Sequence, residues 1–526
     1  MFYYRLGVCT LKNDDIVIVG GGSSGWMTAT TLLSQFPNKK VTLIESPNIA
    51  TVGVGESTLS SINSWCELVG IKDTDFLTHV DGTFKLSIQF ENFYRRDSGK
   101  FHYPFGTPYI EGNRAELNDW YFKKMLYPDT PVSDYAECVY PSMAFVSQNK
   151  LDRNVDKRLP NFEFFRDAAY QFDATKLGLW LKEHYCLPKG LNHILSEVKE
   201  IPLNEDGIEH LILDDGRKIT ADLFIDCTGF ASVLMDKTLL EPFAHYSDML
   251  PNNSAWSTKI PYKDKSKELV TYTNCSAIDN GWVWSIPLWS RMGSGYVYSD
   301  EFVMDDDALI EFQEHIGCGD ELDYKNTKMR IGIHHRLWVK NVIAIGLSAG
   351  FIEPLESTGL QLTHDALFHL VRVLQREHSN QFDRDQFTAV CKAEFRESAE
   401  FVSMHFALSQ RDDTEYWRHW TNQTVAPDLV NQTFAPYSIG FSKAVFDVHR
   451  NSHFSLTSGV HCIATGLHWW PTDKPNIIYN YCRGDIDWKA SFGDAVRNLV
   501  SRKHEWREAV QDCPTPYQFL KENFYG

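Results

Sequence analysis

The chain has 526 residues, enough for a large buried interior and, at roughly 150 residues per domain, for about three structural units. Its 51 Lys+Arg against 69 Asp+Glu leave a formal net charge of −18, which repels phosphate backbones and anionic lipid and so argues against nucleic acid or membrane surfaces as partners. Eleven cysteines without a Cys-x-x-Cys pair, no apolar leader in residues 1–15 and no apolar run of about 20 residues predict a reducing, cytoplasmic setting without disulfide framework or membrane span.

The first predicted element is a short apolar strand, Ile16–Val19, entering a glycine turn. Trp26, Ala29, Leu32, Leu33 and Phe36 then recur at helical spacing, and Val41–Ile44 is a second buried strand. Together they predict a βαβ unit, with Gly20, Gly22 and Gly25 in a Gly-x-Gly-x-x-Gly pattern, Ser23 and Ser24 at the helix start, and Glu45 ending the second strand. Glycines let the backbone approach a pyrophosphate, the helix start offers unpaired N–H groups to it, and the acid can hold ribose hydroxyls. This context favours a dinucleotide site over a merely tight turn.

Gly53-Val54-Gly55-Glu56-Ser57-Thr58 follows and, standing alone, reads as a βα loop. Phe84–Phe90 alternates strictly, with Lys85, Ser87 and Gln89 on one face and Phe84, Leu86, Ile88 and Phe90 on the other. Pattern alone therefore makes Lys85 a solvated strand residue. Phe101-His102-Tyr103-Pro104-Phe105-Gly106 is an aromatic segment, with Phe105 suited either to core packing or to stacking on a ligand.

In the middle of the chain, Asp215-Gly216 predicts a hairpin turn between Leu211–Leu213 and Ile219–Ile225, and Leu223–Ile225 runs into Asp226-Cys227-Thr228-Gly229. Gly281-Trp282-Val283-Trp284-Ser285-Ile286-Pro287 predicts a strand ended by its proline, with Trp282, Trp284 and Ile286 on one face. His334 and His335 have no third ligand at a diagnostic spacing and read as structural. Glu353-Pro354-Leu355-Glu356-Ser357-Thr358-Gly359 leads into the helical pattern of Leu360, Leu362, Leu367, Leu370 and Val371. Such a helix start can bind an anion, and Ser357 or Thr358 can equally serve as its cap. From about Asp383 the pattern is helical, with a long helix expected through Gln410.

The string Trp282-Val283-Trp284-Ser285-Ile286-Pro287 resembles the Trp-x-Trp-x-Ile-Pro signature of the flavin-dependent halogenases, the tryptophan halogenase family. Gly53–Thr58 resembles the strap that crosses the flavin in those enzymes, and the likeness runs from about Asp15 to Trp469-Trp470-Pro471. It implies an α/β chain: an FAD-binding two-dinucleotide (Rossmann-type) fold of the flavin monooxygenase kind, with an inserted β-sheet substrate region and a C-terminal helical region. The expected FAD module comprises 12–84, 181–240 and 335–375, the β-rich substrate region 85–180 and 241–334, and the helical region 376–526.

The same resemblance implies halogenation of an electron-rich, indole- or phenol-like aromatic, driven by FADH2 and O2 through hypohalous acid. A separate NAD(P)H-dependent flavin reductase is then a partner, and a halide ion a co-substrate. FAD contacts are expected from Gly20, Gly22, Ser23, Ser24, Gly25, Glu45, Gly53, Val54, Gly55 and Glu56, and halide contacts from the backbone of Thr358 and Gly359. Lys85 corresponds to the lysine that receives the halogen, provided burial tunes its pKa, and Glu356 to the acid that assists it, with Glu353 as the nearby rival. The tryptophan wall is expected to keep the organic substrate from the flavin. Phe105, Trp469 and Trp470 are the expected substrate contacts.

Two departures stand out. The paired-tyrosine lid that grips free tryptophan has no counterpart, which favours other indoles or phenols, and Gly346-Leu347 stands where many related flavoproteins have Gly-Asp. The halide is not named by spacing, although bromide and iodide are oxidised more easily than chloride. The alternative on the same fold is a flavin-dependent aromatic hydroxylase. A non-catalytic flavin-binding protein is a more distant rival, and a homodimer is expected only from the frequency of two-fold assemblies.

Overall fold

The structure, a computed structural model, describes residues 11–48, 55–109, 116–154, 158–422, 457–468 and 488–526. Its contacts group into two compact units, one of Met1–Gly82, Phe172–Ser247 and Lys328–Ser398, the other of Thr83–Gln171, Asp248–Thr327 and Ala399–Gly526. Of the region expected to be helical, residues 376–398 group with the first unit and 399–526 with the second. Phe387, early in the helix Gln381–Ala407, packs edge-on against Trp338 of the first unit, whereas Phe401, later in it, packs against Tyr103 of the second.

The first unit is built on a six-stranded sheet whose spatial order is Trp338–Val339, Val342–Ala344, Leu223–Asp226, Asp15–Val19, Lys40–Glu45 and Asn192–Leu195. All neighbours are parallel except the antiparallel edge strand Trp338–Val339. Val17, Phe224 and Val342 are buried to 1% or less, as expected of strands covered on both faces. The helix Ser23–Gln35 follows the first strand. Leu223–Asp226 returns in register beside it, Leu223 opposite Ile16 and Asp226 opposite Val19, which completes the dinucleotide-type sheet. The hairpin Leu211–Leu213 with Lys218–Ile219 turns at Gly216, whose φ of +84° suits the residue.

The second unit carries a seven-stranded sheet in the order Lys325–Lys328, Ser254–Ile260, Met292–Tyr298, Gly281–Pro287, Tyr272–Ile278, Ser87–Glu91 and Lys100–Pro104. Only the pairing of Tyr272–Ile278 with Ser87–Glu91 is parallel among the strands with a described register. One face buries Val283, Tyr296 and Tyr298 with Ala308 and Phe312 of the helix Asp305–Ile316. Among the described residues, no helix is long and apolar enough to cross a membrane.

Candidate active site

The glycine turn serves two purposes. Gly20 has φ +118°, and a Cβ there would lie 2.2 Å from the Cys227 carbonyl oxygen, while one on Gly25 would lie 1.9 Å from the Gly20 carbonyl oxygen. These two glycines permit close packing of turn, helix and returning strand. Gly22 instead opens onto free space, so the start of the helix Ser23–Gln35 can be approached. Its first N–H groups have no acceptor within the helix, and groups of this kind can bind an anion. Ser23 Oγ donates to the Ala174 carbonyl, and Ser24 lies 2.7 Å from where a Cβ on Gly346 would stand.

The opposing turn is fixed by Asp226, which the sequence did not single out. Its buried carboxylate accepts from Thr228 N and Oγ1 and from Leu234 N and Met235 N, at 2.6–3.0 Å. Burial raises this carboxyl while those bonds oppose the rise, and the Cys227 carbonyl is thereby held against Gly20.

Glu45 ends its strand as expected but is not alone. Lys182 Nζ and His193 Nε2 each donate to Glu45 Oε2 at 2.9 Å, and Oε1 lies beside Gly21, where a Cβ would be 2.4 Å away. Both partners lie more than a hundred residues away in sequence, so no local pattern announces them. Burial lowers the His193 pKa from its ordinary value. The acid that can hold ribose hydroxyls is thus held in place itself. Lys182→Met is expected to weaken FAD binding about tenfold, equivalent to ~1.4 kcal/mol. Flavin fluorescence titration checks this, and an unchanged Kd would remove Lys182 from cofactor positioning.

Beyond this cradle, Gly53 and Val54 of the strap lie outside the described residues. Gly55 is buried with φ +115°, and desolvation pushes the Glu56 carboxyl up to about 7. Ser357 Oγ donates to Ser57 Oγ at 3.2 Å, joining the strap's far end to the turn before the helix Gly359–Leu374. That turn is sharp: Pro354–Glu356 is a 3-10 helix, and Ser357 follows with φ +59°. It leaves the helix start at Thr358 and Gly359 with space in front of Gly359. Thr358 Oγ1 is buried and has no hydrogen-bond partner among the described residues, while the Thr358 carbonyl accepts from Leu362 N. Unpaired N–H groups and a buried hydroxyl suit a small anion. Glu353 and Glu356 are both fully buried, so burial alone does not choose between them. Leu347, in the place of the missing aspartate, is 37% exposed.

The second unit holds Lys85, and here the expectation from alternation is corrected. Lys85 is 0% exposed, at the end of the strand Thr83–Lys85, which pairs antiparallel with Ala169–Phe172. Alternation reports two chemically different faces but not whether both are covered. Phe84 is covered by Phe164 and Tyr170, and the polar face is covered as well, with Ser87 hydrogen-bonded to His102 and Gln89 to Asn274. Lys85 Nζ sits 5.0 Å from the centre of the Phe105 ring. Phe105, which packing and ligand stacking fitted equally, is 5% exposed beside this ammonium.

Trp282, Trp284 and Ile286 are buried on one strand, the two indoles 6.1 Å apart. Trp284 lies across Gly295, where a Cβ would be 2.2 Å from its ring, so a glycine is required opposite the wall. Thr83 Oγ1 donates to the Pro287 carbonyl at 2.6 Å, tying the lysine strand to the end of the tryptophan strand. Trp469 and Trp470 lie outside the described residues. His334 is buried in the first unit with Nδ1 on the Glu241 carbonyl and Nε2 near Ser232, and among the described residues no His, Cys, Asp and Glu cluster could hold a metal.

A doubly covered parallel sheet with a glycine cradle and a held acid at the second strand's end, in a chain that also carries a separate β-sheet unit, defines an FAD-dependent oxidoreductase, and the residues present fit that cofactor. The sequence model of the family described as tryptophan halogenase matches residues 15–476, and the chain belongs to that family. It is 31% identical over 536 residues to tryptophan 6-halogenase ThaL of Streptomyces albogriseolus, covering 96% of this chain and 98% of the relative. The apo structure of VirX1 is similar with a TM-score of 0.88 and 36% identity, over 98% of this chain and 100% of that one. Tryptophan 6-halogenase SttH from Streptomyces toxytricini is similar with a TM-score of 0.84 and 29% identity, over 97% and 99%. The protein is a flavin-dependent halogenase: an oxidoreductase that uses FADH2, O2 and a halide ion and draws reduced flavin from a separate reductase.

Proposed function

We propose that the enzyme halogenates an electron-rich aromatic small molecule of indole or phenol type, with Lys85 delivering the halogen and Glu356 accepting the proton that the ring loses. The observation that carries this reading is the complete burial of Lys85 with its ammonium beside the Phe105 ring. An aromatic face next to a fully buried lysine suits a second ring as substrate.

Bound FADH2 with O2 supplies the oxidising equivalent that turns halide into hypohalous acid. Gly20, Gly22, Ser23, Ser24, Gly25 and Glu45 hold the cofactor, with Gly53, Val54, Gly55 and Glu56 as its strap, and the backbone of Thr358 and Gly359 holds the halide. Lys85 Nζ–H donates to the oxygen of hypohalous acid and makes its halogen more electrophilic. Ring electrons form the carbon–halogen bond as the halogen–oxygen bond breaks, and the departing oxygen leaves as water with a proton from the ammonium. Glu356 takes the ring proton, which restores aromaticity. The wall of Trp282 and Trp284 favours this order over direct oxygen transfer to the substrate.

The test is a mass-spectrometric panel of indoles, phenols and free tryptophan with chloride, bromide and iodide, run with an added flavin reductase and NADH. Halogen-mass products that require halide are expected, with indoles or phenols converted faster than free tryptophan. Hydroxylated product formed without halide would replace this reading with an aromatic hydroxylase.

A further inference from the structure

We infer that the segment Pro516–Tyr525 positions Lys85 from behind, through Phe84 and Arg153, and thereby sets how much oxidised halide reaches the ring; this rests on Lys85 being the delivering residue. Phe84 directly precedes Lys85 and is 1% exposed. Its ring lies 5.7 Å from Phe524 and 6.1 Å from Phe519 of that segment, and 4.9 Å from Phe164. Arg153 places its guanidinium among the same rings, 4.7 Å from Phe524, 5.5 Å from Phe84 and 5.6 Å from Phe164. A cation enclosed by ring faces gains quadrupole attraction as well as packing, so Arg153 cross-links the segment to the lysine strand.

The same segment is pinned at a second place. Tyr525 stacks on Trp289 at 4.1 Å and 5°, and Tyr517 lies parallel to Trp289 at 5.7 Å and 9°. Lys265 Nζ stands 3.1 Å from the centre of the Trp289 ring. Trp289 follows closely on Pro287, the last residue of the tryptophan strand, whose carbonyl already accepts from Thr83. One short segment thus touches the residue before the lysine and the exit of the tryptophan strand.

The strand Thr83–Lys85 is three residues long, so its ladder alone fixes little of its height above the neighbouring side chains. Packing behind Phe84 supplies the rest. Phe524 and Tyr525 are half-buried, which makes the segment a cover on the strand and not part of the central core. Removing a ring there lets Phe84 settle backward and carries Lys85 with it, and a displacement of about 1 Å at a delivering group can cost ~100-fold in rate.

The test uses the full chain with flavin reductase, halide and the best substrate of the panel. It compares Phe524→Ala, Phe524→Tyr, Arg153→Met and Tyr525→Ala with the wild type and with Lys85→Ala. Measured are halogenated product per FADH2 consumed, the rate of FADH2 oxidation, hypohalous acid caught by an added scavenger, and Tm. In Phe524→Ala and Arg153→Met, product per FADH2 is expected to fall about tenfold with scavenged halogen rising in its place and FADH2 oxidation within about twofold of normal, whereas Phe524→Tyr restores delivery. If Phe524→Ala does not fold, Tyr525→Ala on the half-buried stack decides, with about threefold loss of delivery expected. Wild-type product per FADH2 in the folded variants, with Lys85→Ala inactive, would overturn this positioning role alone. Normal product from Lys85→Ala would overturn the delivering role on which it rests.

Discussion

Lys85→Ala is expected to abolish halogenated product, a loss of at least ~10²–10⁴ in rate, while FADH2 oxidation by O2 continues. The glycine turn proposed to hold the cofactor and the Thr358-Gly359 turn proposed to hold the halide belong to the first compact unit, whereas Lys85 belongs to the second, so its removal is expected to leave both intact. What disappears is the proposed donor to hypohalous acid, the Lys85 ammonium beside Phe105. Alanine also leaves a hole at a fully buried position, and part of any effect would then be loss of packing. Lys85→Met separates the two causes: methionine fills most of the volume without a charge, so a variant that is folded and equally inactive assigns the loss to the ammonium. Product quantified by mass spectrometry against flavin oxidation followed by absorbance measures both. A normal product yield from either variant would take Lys85 out of the chemistry and return it to the core.

How much of this was legible in the sequence depended on the range of each signal. Ile16–Val19, the glycine turn and Val41–Ile44 could be read directly because strand, turn and helix start lie within about thirty residues and each has its own local chemistry. Leu223–Ile225 could be read as an apolar strand ending in small residues, and the structure extends it to Asp226 and pairs it with Asp15–Val19. The pairing of Glu45 with Lys182 and His193 could not, since those partners approach only after the helix and sheet are assembled. Lys85 is the sharpest case. Its strand alternates as a half-exposed strand would, yet the cover on the Phe84 side comes from residues 153, 164, 519 and 524. The family motif, not periodicity, singled it out. Helical periodicity likewise says nothing about which core a helix buries its face in, and residues 376–398 group with the first unit while 399–526 group with the second.

Glu356→Gln is expected to slow halogenation about 10²–10³-fold with little change in the apparent affinity for halide. The amide has nearly the same volume, so the buried turn Pro354–Glu356 and the left-handed Ser357 that follows it can keep their shape. The change is then chemical. A carboxylate at 0% exposure acts where water screens little, so in the proposed role it would stabilise positive charge on a halogenated ring more than a surface acid would, and would accept the ring proton. Glutamine does neither. Loss of the ring proton then limits the rate, and a substrate deuterated at the reacting carbon should show a larger isotope effect in Glu356→Gln than in the wild type. Glu353 is equally buried and three residues away, so Glu353→Gln must be measured beside it. Near-normal turnover in Glu356→Gln together with a slowed Glu353→Gln would transfer the role to Glu353, and near-normal turnover in both would mean that neither carboxylate carries the proton.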